Sequence, residues 1–183
     1  MKKILVVIVA LLVNMANAQE YHRFKGVEIN GSFDTFVTEL EKRGCTVDEN
    51  ILGTFIIQAD FAGLEMFVYP LTTSQTKTVY AVVAGTAEIQ EKVSLMAQYN
   101  ELKNLLAQKY GEGKETILPD GWYINTMYKL ERGNANSSLL FENDKGRIYL
   151  YIHEEDFFGW KINIQYIDKI NEQLKIKESQ MDI

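Results

Sequence analysis

Arg147-Ile148-Tyr149-Leu150-Tyr151-Ile152 is the stretch whose reading decides the fold. Ile148, Leu150 and Ile152 fall in one phase and Tyr149 and Tyr151 in the other, and a strand sends alternate side chains to opposite faces. Branched and aromatic residues in that alternation predict a strand with large side chains on both faces. The neighbourhood repeats the signal. Runs rich in Tyr, Ile, Val, Phe and Thr predict strands at about 52–59, 62–69, 78–84, 122–130, 137–142 and 160–167, with a further short strand within 24–29. Turn residues join them at Asp60 to Gly63, Asn143 to Gly146 and Asp156 to Gly159, which are hairpin spacings.

Two helices precede these strand clusters. Phe33, Phe36, Val37 and Leu40 recur at the spacing that gathers them on one helix face over about 33–43. Ser32 is a natural N-cap, Asp34 suits the first turn, and Gly44 supplies a left-handed close. Leu95, Tyr99, Leu102 and Leu106 form the stripe of a second helix over about 92–110, with Lys109 in its last turn and Gly111 after it. The order helix-then-strands occurs twice, and Lys42-Arg43-Gly44 aligns with Lys109-Tyr110-Gly111 at an offset of 67. Tyr80-Ala81-Val82-Val83 aligns with Ile148-Tyr149-Leu150-Tyr151 at an offset of 68. The expected fold is therefore α+β: a mostly antiparallel curved sheet with both helices on one face, built from pseudo-repeats at about 24–86 and 92–167. Residues 168–183 read as a polar tail, a short helix that frays.

Residues 1–18 read as an export signal. Lys2 and Lys3 open it, Ile4 to Val13 is wholly apolar, and Ala16-Asn17-Ala18 places small residues where a signal peptidase cuts. The apolar run is too short for a permanent membrane span, so the mature chain is expected to begin near Gln19, as one exported domain over 19–183 in the periplasm or outside the cell. A chain of that size buries roughly 68–70% of its unfolded surface, enough for a core without staples. Cys45 is the single cysteine, so no internal disulfide forms, and a small buried apolar role suits it. The formal net charge is −6; without Lys2 and Lys3 it is −8, from 17 basic and 25 acidic residues. That balance opposes nucleic-acid binding and adsorption to anionic membranes.

Phe24-Lys25-Gly26, Asn30-Gly31-Ser32 and the first helix, together with the 160–171 stretch from Trp160 to Asn171 and the closing Met181-Asp182-Ile183, resemble an uncharacterised family of small exported bacterial α+β proteins. The tandem helix-plus-sheet plan also resembles the architecture of the β-lactamase inhibitor protein. What these likenesses imply is a fold and a compartment; they carry no catalytic residues.

No catalytic, cofactor or metal motif is present: no G-x-G-x-x-G, P-loop, C-x-x-C or G-x-S-x-G. His22 and His153 are the only histidines, and neither sits in a nucleophile elbow. His153-Glu154-Glu155-Asp156 is the densest titratable cluster. In an extended strand end its side chains alternate between faces, so it does not converge as a ligand set. Asn30-Gly31-Ser32 and Asn136-Ser137-Ser138 match a glycosylation pattern, but turn formation and helix capping explain them in a chain with a bacterial leader. Aromatics are the stronger signal. Tyr149 and Tyr151 are expected on the sheet's open face, and Phe157, Phe158 and Trp160 at the following hairpin. Such a patch suits a protein or glycan partner of the cell envelope. The expectation is a non-catalytic binding or inhibitor-like module with no cofactor. The rival is a small envelope-polymer hydrolase using Glu154, Glu155 or Asp156 as acid or base.

Overall fold

Ser32 Oγ accepts a hydrogen bond from Thr35 N at 3.3 Å, and helix α1 (Phe33–Glu41) starts there, with Asp34 in its first turn. The computed structural model describes residues 23–49, 55–88, 92–117, 137–154 and 160–181. Phe36, Val37 and Leu40 are buried along α1, and Gly44 closes it at φ +82°. Helix α2 (Lys92–Tyr110) ends at Gly111, φ +83°, and buries Leu95, Leu102 and Leu106. Both helices stand where their stripes and caps predicted.

Ten strands accompany them among the described residues. β1 (Arg23–Phe24) and β2 (Val27–Glu28) form a small hairpin, where a single short strand was expected; the reversal falls at Lys25-Gly26. The remaining strands are β3 (Thr46–Glu49), β4 (Phe55–Phe61), β5 (Leu64–Thr72), β6 (Val79–Thr86), β7 (Lys114–Ile117), β8 (Ser137–Glu142), β9 (Gly146–Glu154) and β10 (Trp160–Asp168). They make one antiparallel sheet in the order β3-β4-β5-β6-β10-β9-β8-β7. From either edge the strands run inward in chain order, each set following a helix, and β6 meets β10 at the centre. Asn163 pairs with Gly85 and Gln165 with Val83 across that seam. The two segments aligned at an offset of 68, 80–83 and 148–151, lie in β6 and β9, which stand at different distances from the centre; β10 holds the place that mirrors β6. The strand expected at 122–130 and the turn at 156–159 lie outside the described residues.

α1 and α2 share one face. Phe36, Val37, Leu40, Leu95, Leu102 and Leu106 join Ile57, Ala59, Met66, Val68, Val82 and Ala84 of the first strand set and Leu139, Phe141, Ile148, Leu150, Ile152, Ile162, Ile164 and Tyr166 of the second in a single core. Ile148, Leu150 and Ile152 are core residues, as their phase required.

The opposite face carries a second cluster of Ala81, Tyr149, Tyr151 and Ile167, with Leu71, Tyr80 and Leu140 against it. This face was expected to be open and the C-terminal tail to fray. Instead helix α3 (Lys169–Met181) packs there against β6 and β10. Its anchors are polar. Asp168 caps it through Asn171 N at 2.8 Å, and Asn171 Nδ2 donates to Ile29 O at 2.9 Å. Glu172 pairs with Arg147, and Lys169 Nζ lies 2.7 Å from Glu142 Oε1. Glu178, buried, accepts from Gln75 N at 2.6 Å and Thr76 Oγ1 at 2.7 Å, tying the helix to the β5–β6 loop.

Candidate functional site

The five aromatic residues singled out in the sequence do not form one patch. Tyr149 and Tyr151 do lie off the main core face, but they are 4% and 1% exposed, members of the second cluster. Burial raises the Tyr149 pKa; Arg147, through charge and a hydrogen bond, offsets part of this, while Glu142 and Glu172 add to it. Trp160 shares the phase of Ile162, Ile164 and Tyr166 and packs against the main core, on the opposite face from the two tyrosines. Phe157 and Phe158 lie outside the described residues. The two rings are buried in the cluster they form with Ala81, Ile167, Leu71, Tyr80 and Leu140, since a sheet face this rich in aromatics is more stable covered than wet.

The rival carboxylates fare no better as an observed site. β9 runs through His153 and Glu154, paired in register with Lys161 and Trp160, but Glu155 and Asp156 lie outside the described residues, as does His22. Among the described residues no three of His, Cys, Asp and Glu gather to hold a metal ion. Glu178 is a buried carboxylate whose pKa is shifted. Burial works to raise it, but hydrogen bonds from Thr76, Gln75 and Thr73 outweigh burial and hold it below the usual carboxylate range. An acid held ionised and fully hydrogen-bonded is a structural anchor, not a general acid. Cys45 is buried, and burial lifts its thiol pKa against a smaller lowering from the Lys25 charge, which fits the apolar role.

A concave site lies elsewhere among the described residues, and two tight turns build it. Lys25 and Gly26 have φ of +48° and +77°, and Ala62 and Gly63 have +56° and +78°. Positive φ at both central residues is the backbone of a primed two-residue hairpin turn. Lys25 Nζ donates to Asp60 O at 2.6 Å, joining the two hairpins. Beneath them Phe24 is fully buried, stacked on Phe61 at 6.0 Å and edge-on to Tyr166 at 5.6 Å. The C-terminal half of α2 forms the far wall. The result is a cleft of about 630 Å³ lined by Arg23, Lys25, Gly26, Phe61, Ala62, Leu105, Leu106, Lys109, Tyr110 and Tyr166.

Its chemistry is uneven. Phe61, Tyr110, Tyr166, Leu105 and Leu106 supply an apolar floor and wall, and Leu105 is 42% exposed. Arg23, Lys25 and Lys109 stand in the lining, and among the described residues no carboxylate does, in a chain with more acids than bases. Arg23 is matched by Glu28 at 2.5 Å. Lys109 Nζ sits 5.2 Å from the Tyr110 ring centroid, beside the negative end of the α2 dipole. Lys25 bonds a neutral carbonyl, which leaves its charge uncancelled by that partner. Nothing local in the sequence announced this cleft, because its walls come from four separate segments. The one available sign was Lys25-Gly26 itself, a turn between Phe24 and Val27.

The chain matches no protein-family model, no curated protein and no solved structure. No helix among the described residues is long and apolar enough to cross a membrane.

Proposed function

We propose that this chain is an exported, non-catalytic binding module whose ligand seat is the cleft between the β1–β2 hairpin, the β4–β5 turn and the end of α2. The observation that carries the reading is the lining: an aromatic and aliphatic surface with a few placed polar groups, in a volume within the roughly 300–1,000 Å³ of ligand pockets. The leader-like residues 1–18 support export to the periplasm or beyond, and the twice-used helix-then-strands order supports the duplication. An acid–base enzyme needs carboxylates converging on such a cleft, and none stands among the described residues of this lining. Tyr149 and Tyr151 are buried and not open to a partner, which favours the cleft as the contact surface.

The test is a thermal-shift screen of small molecules against the mature protein and Leu105→Trp, which fills the cleft from an exposed helix position. A ligand at 100 times its Kd stabilises by about 2.7 kcal/mol, a rise of roughly 5–10 °C in a domain of this size. Ligands of the cleft raise Tm in the parent and not in Leu105→Trp. Hits that stabilise both equally, or no hits in either, would sink the reading.

A further inference from the structure

The two ends of α3 are fastened by different chemistries. We propose that α3 is a hinged strap: Asn171 and the ion pairs beside it hold its start to the sheet, Glu178 latches its far end to the β5–β6 loop, and neutralising Glu178 lifts that end from β6 while the sheet stays intact. At the hinge, Asn171 Nδ2 donates to Ile29 O at 2.9 Å and to Val79 O at 3.4 Å. These bonds join neutral groups and do not respond to pH. Lys169 Nζ adds a bond to Asn143 O at 2.6 Å, next to its pairing with Glu142 and the Glu172–Arg147 pair.

Beyond the hinge the helix offers the sheet little hydrocarbon. Ile176 and Met181 are exposed, and Glu178 is its buried residue. A 13-residue helix does not stand in water on propensity, so docking must hold it. The docking group at the far end is a carboxylate among neutral donors. Glu178 accepts from Gln75 N at 2.6 Å, Thr76 N at 3.3 Å and Thr76 Oγ1 at 2.7 Å, and from the Thr73 side chain. Thr76 Oγ1 lies 2.9 Å from the hydroxyls of both Thr73 and Thr78, which orients the ring of donors.

The charges around this latch stand apart from it. Lys77 is the ionisable residue of loop 73–78 and is exposed. Ser32, the cap of α1, bridges Thr78 and brings no charge. On α3 itself Lys175 and Lys177 are exposed, and Lys175 Nζ sits 5.9 Å from the ring centroid of Tyr80. Tyr80 is the extra residue of a β6 bulge, between Val79 and Ala81, which pair with Thr72 and Leu71. Among the described residues no cation pairs with Glu178, so its bonds owe their strength to its own charge. Without that charge the same donors face a weaker acceptor. The latch is therefore lost as pH falls from the ordinary carboxylate range through the lowered value of folded Glu178, while the Asn171 bonds persist. Asp168, Glu142 and Glu172 are carboxylates near the hinge, so substitution at neutral pH isolates the part played by Glu178.

The experiment is hydrogen exchange read by mass spectrometry on residues 19–183, comparing the parent with Glu178→Gln and Thr76→Val at neutral pH. Losing a charge-assisted contact shifts a local opening equilibrium by roughly tenfold or more. Peptides over 173–181 should exchange about tenfold faster in Glu178→Gln, and by a smaller factor in Thr76→Val, which removes one donor and keeps the charge. Peptides of β4 to β6 and β8 to β10 should keep the parent's protection in both variants. Unchanged exchange over 173–181 in Glu178→Gln overturns the latch. Protection lost from the sheet together with the helix overturns the strap, because α3 and the sheet then open as one unit.

Discussion

Gly85→Ala probes the seam on which the whole sheet depends. Gly85 of β6 faces Asn163 of β10, and a Cβ built there would stand 2.4 Å from Asn163 Oδ1. No real Cβ contact is so short, so the amide must turn or the strands must part. Overpacking of this kind costs about 1–3 kcal/mol. Against that, replacing a strand glycine by alanine is worth about 0.5–1 kcal/mol when nothing is in the way. The net expectation is a loss of about 1–2 kcal/mol, a fall of roughly 2–8 °C in Tm. In an Asn163→Ala background the obstruction is gone, and the same change should raise stability by about 0.5 kcal/mol. Urea unfolding of the four proteins gives the coupling between the sites, expected near 2 kcal/mol, well beyond the scatter of independent positions. Equal effects of Gly85→Ala in both backgrounds would refute the register, and with it the pairing of β6 with β10.

Three further outcomes follow from burial and titration. Tyr151→Ala should cost about 3–5 kcal/mol, the range for a fully buried aromatic, whereas an exposed contact residue would cost under 1; chemical denaturation separates them. The Glu178 carboxylate has a lowered pKa in the folded chain, so its stabilising effect is present above the ordinary carboxylate range and is lost as pH falls from that range through the lowered folded value. Tm should accordingly drop on acidification less steeply in Glu178→Gln than in the parent, with the variant already less stable at neutral pH. The Cys45 thiol, buried and with its pKa raised, should react slowly with Ellman's reagent in the native state and at once in denaturant. Fast native-state reaction would mean that the region around Cys45 opens.

What the sequence disclosed, and what it hid, divides along physical lines. α1 and α2 were legible because each has an apolar stripe with a cap at one end and a glycine at the other. β8, β9 and β10 were legible because alternation of branched and aromatic residues survives in a strand covered on both sides. β3 (Thr46-Val47-Asp48-Glu49) and β7 (Lys114-Glu115-Thr116-Ile117) were missed, since edge strands carry charges that guard an unpaired rim and so imitate loops. α3 was underread for a related reason. Its buried residue is Glu178, while Ile170 and Met181 are 74% and 73% exposed, so a search for an apolar stripe finds none. Tyr149 and Tyr151 lie on the predicted face but are buried in a cluster with Ala81 and Ile167, which strand alternation alone does not reveal. The cleft was invisible for want of any local pattern: Lys25, Ala62, Leu105 and Tyr166 become neighbours only when two hairpin turns close above α2.

The most direct measurement is an amide chemical-shift map of residues 19–183 titrated with anilinonaphthalene sulfonate. The account predicts changes gathered at Arg23 to Gly26, Phe61 to Gly63, Leu105 to Tyr110 and Tyr166, with β9 silent at Tyr149 and Tyr151. Changes centred on β9 and α3, with the two hairpin turns unmoved, would contradict it.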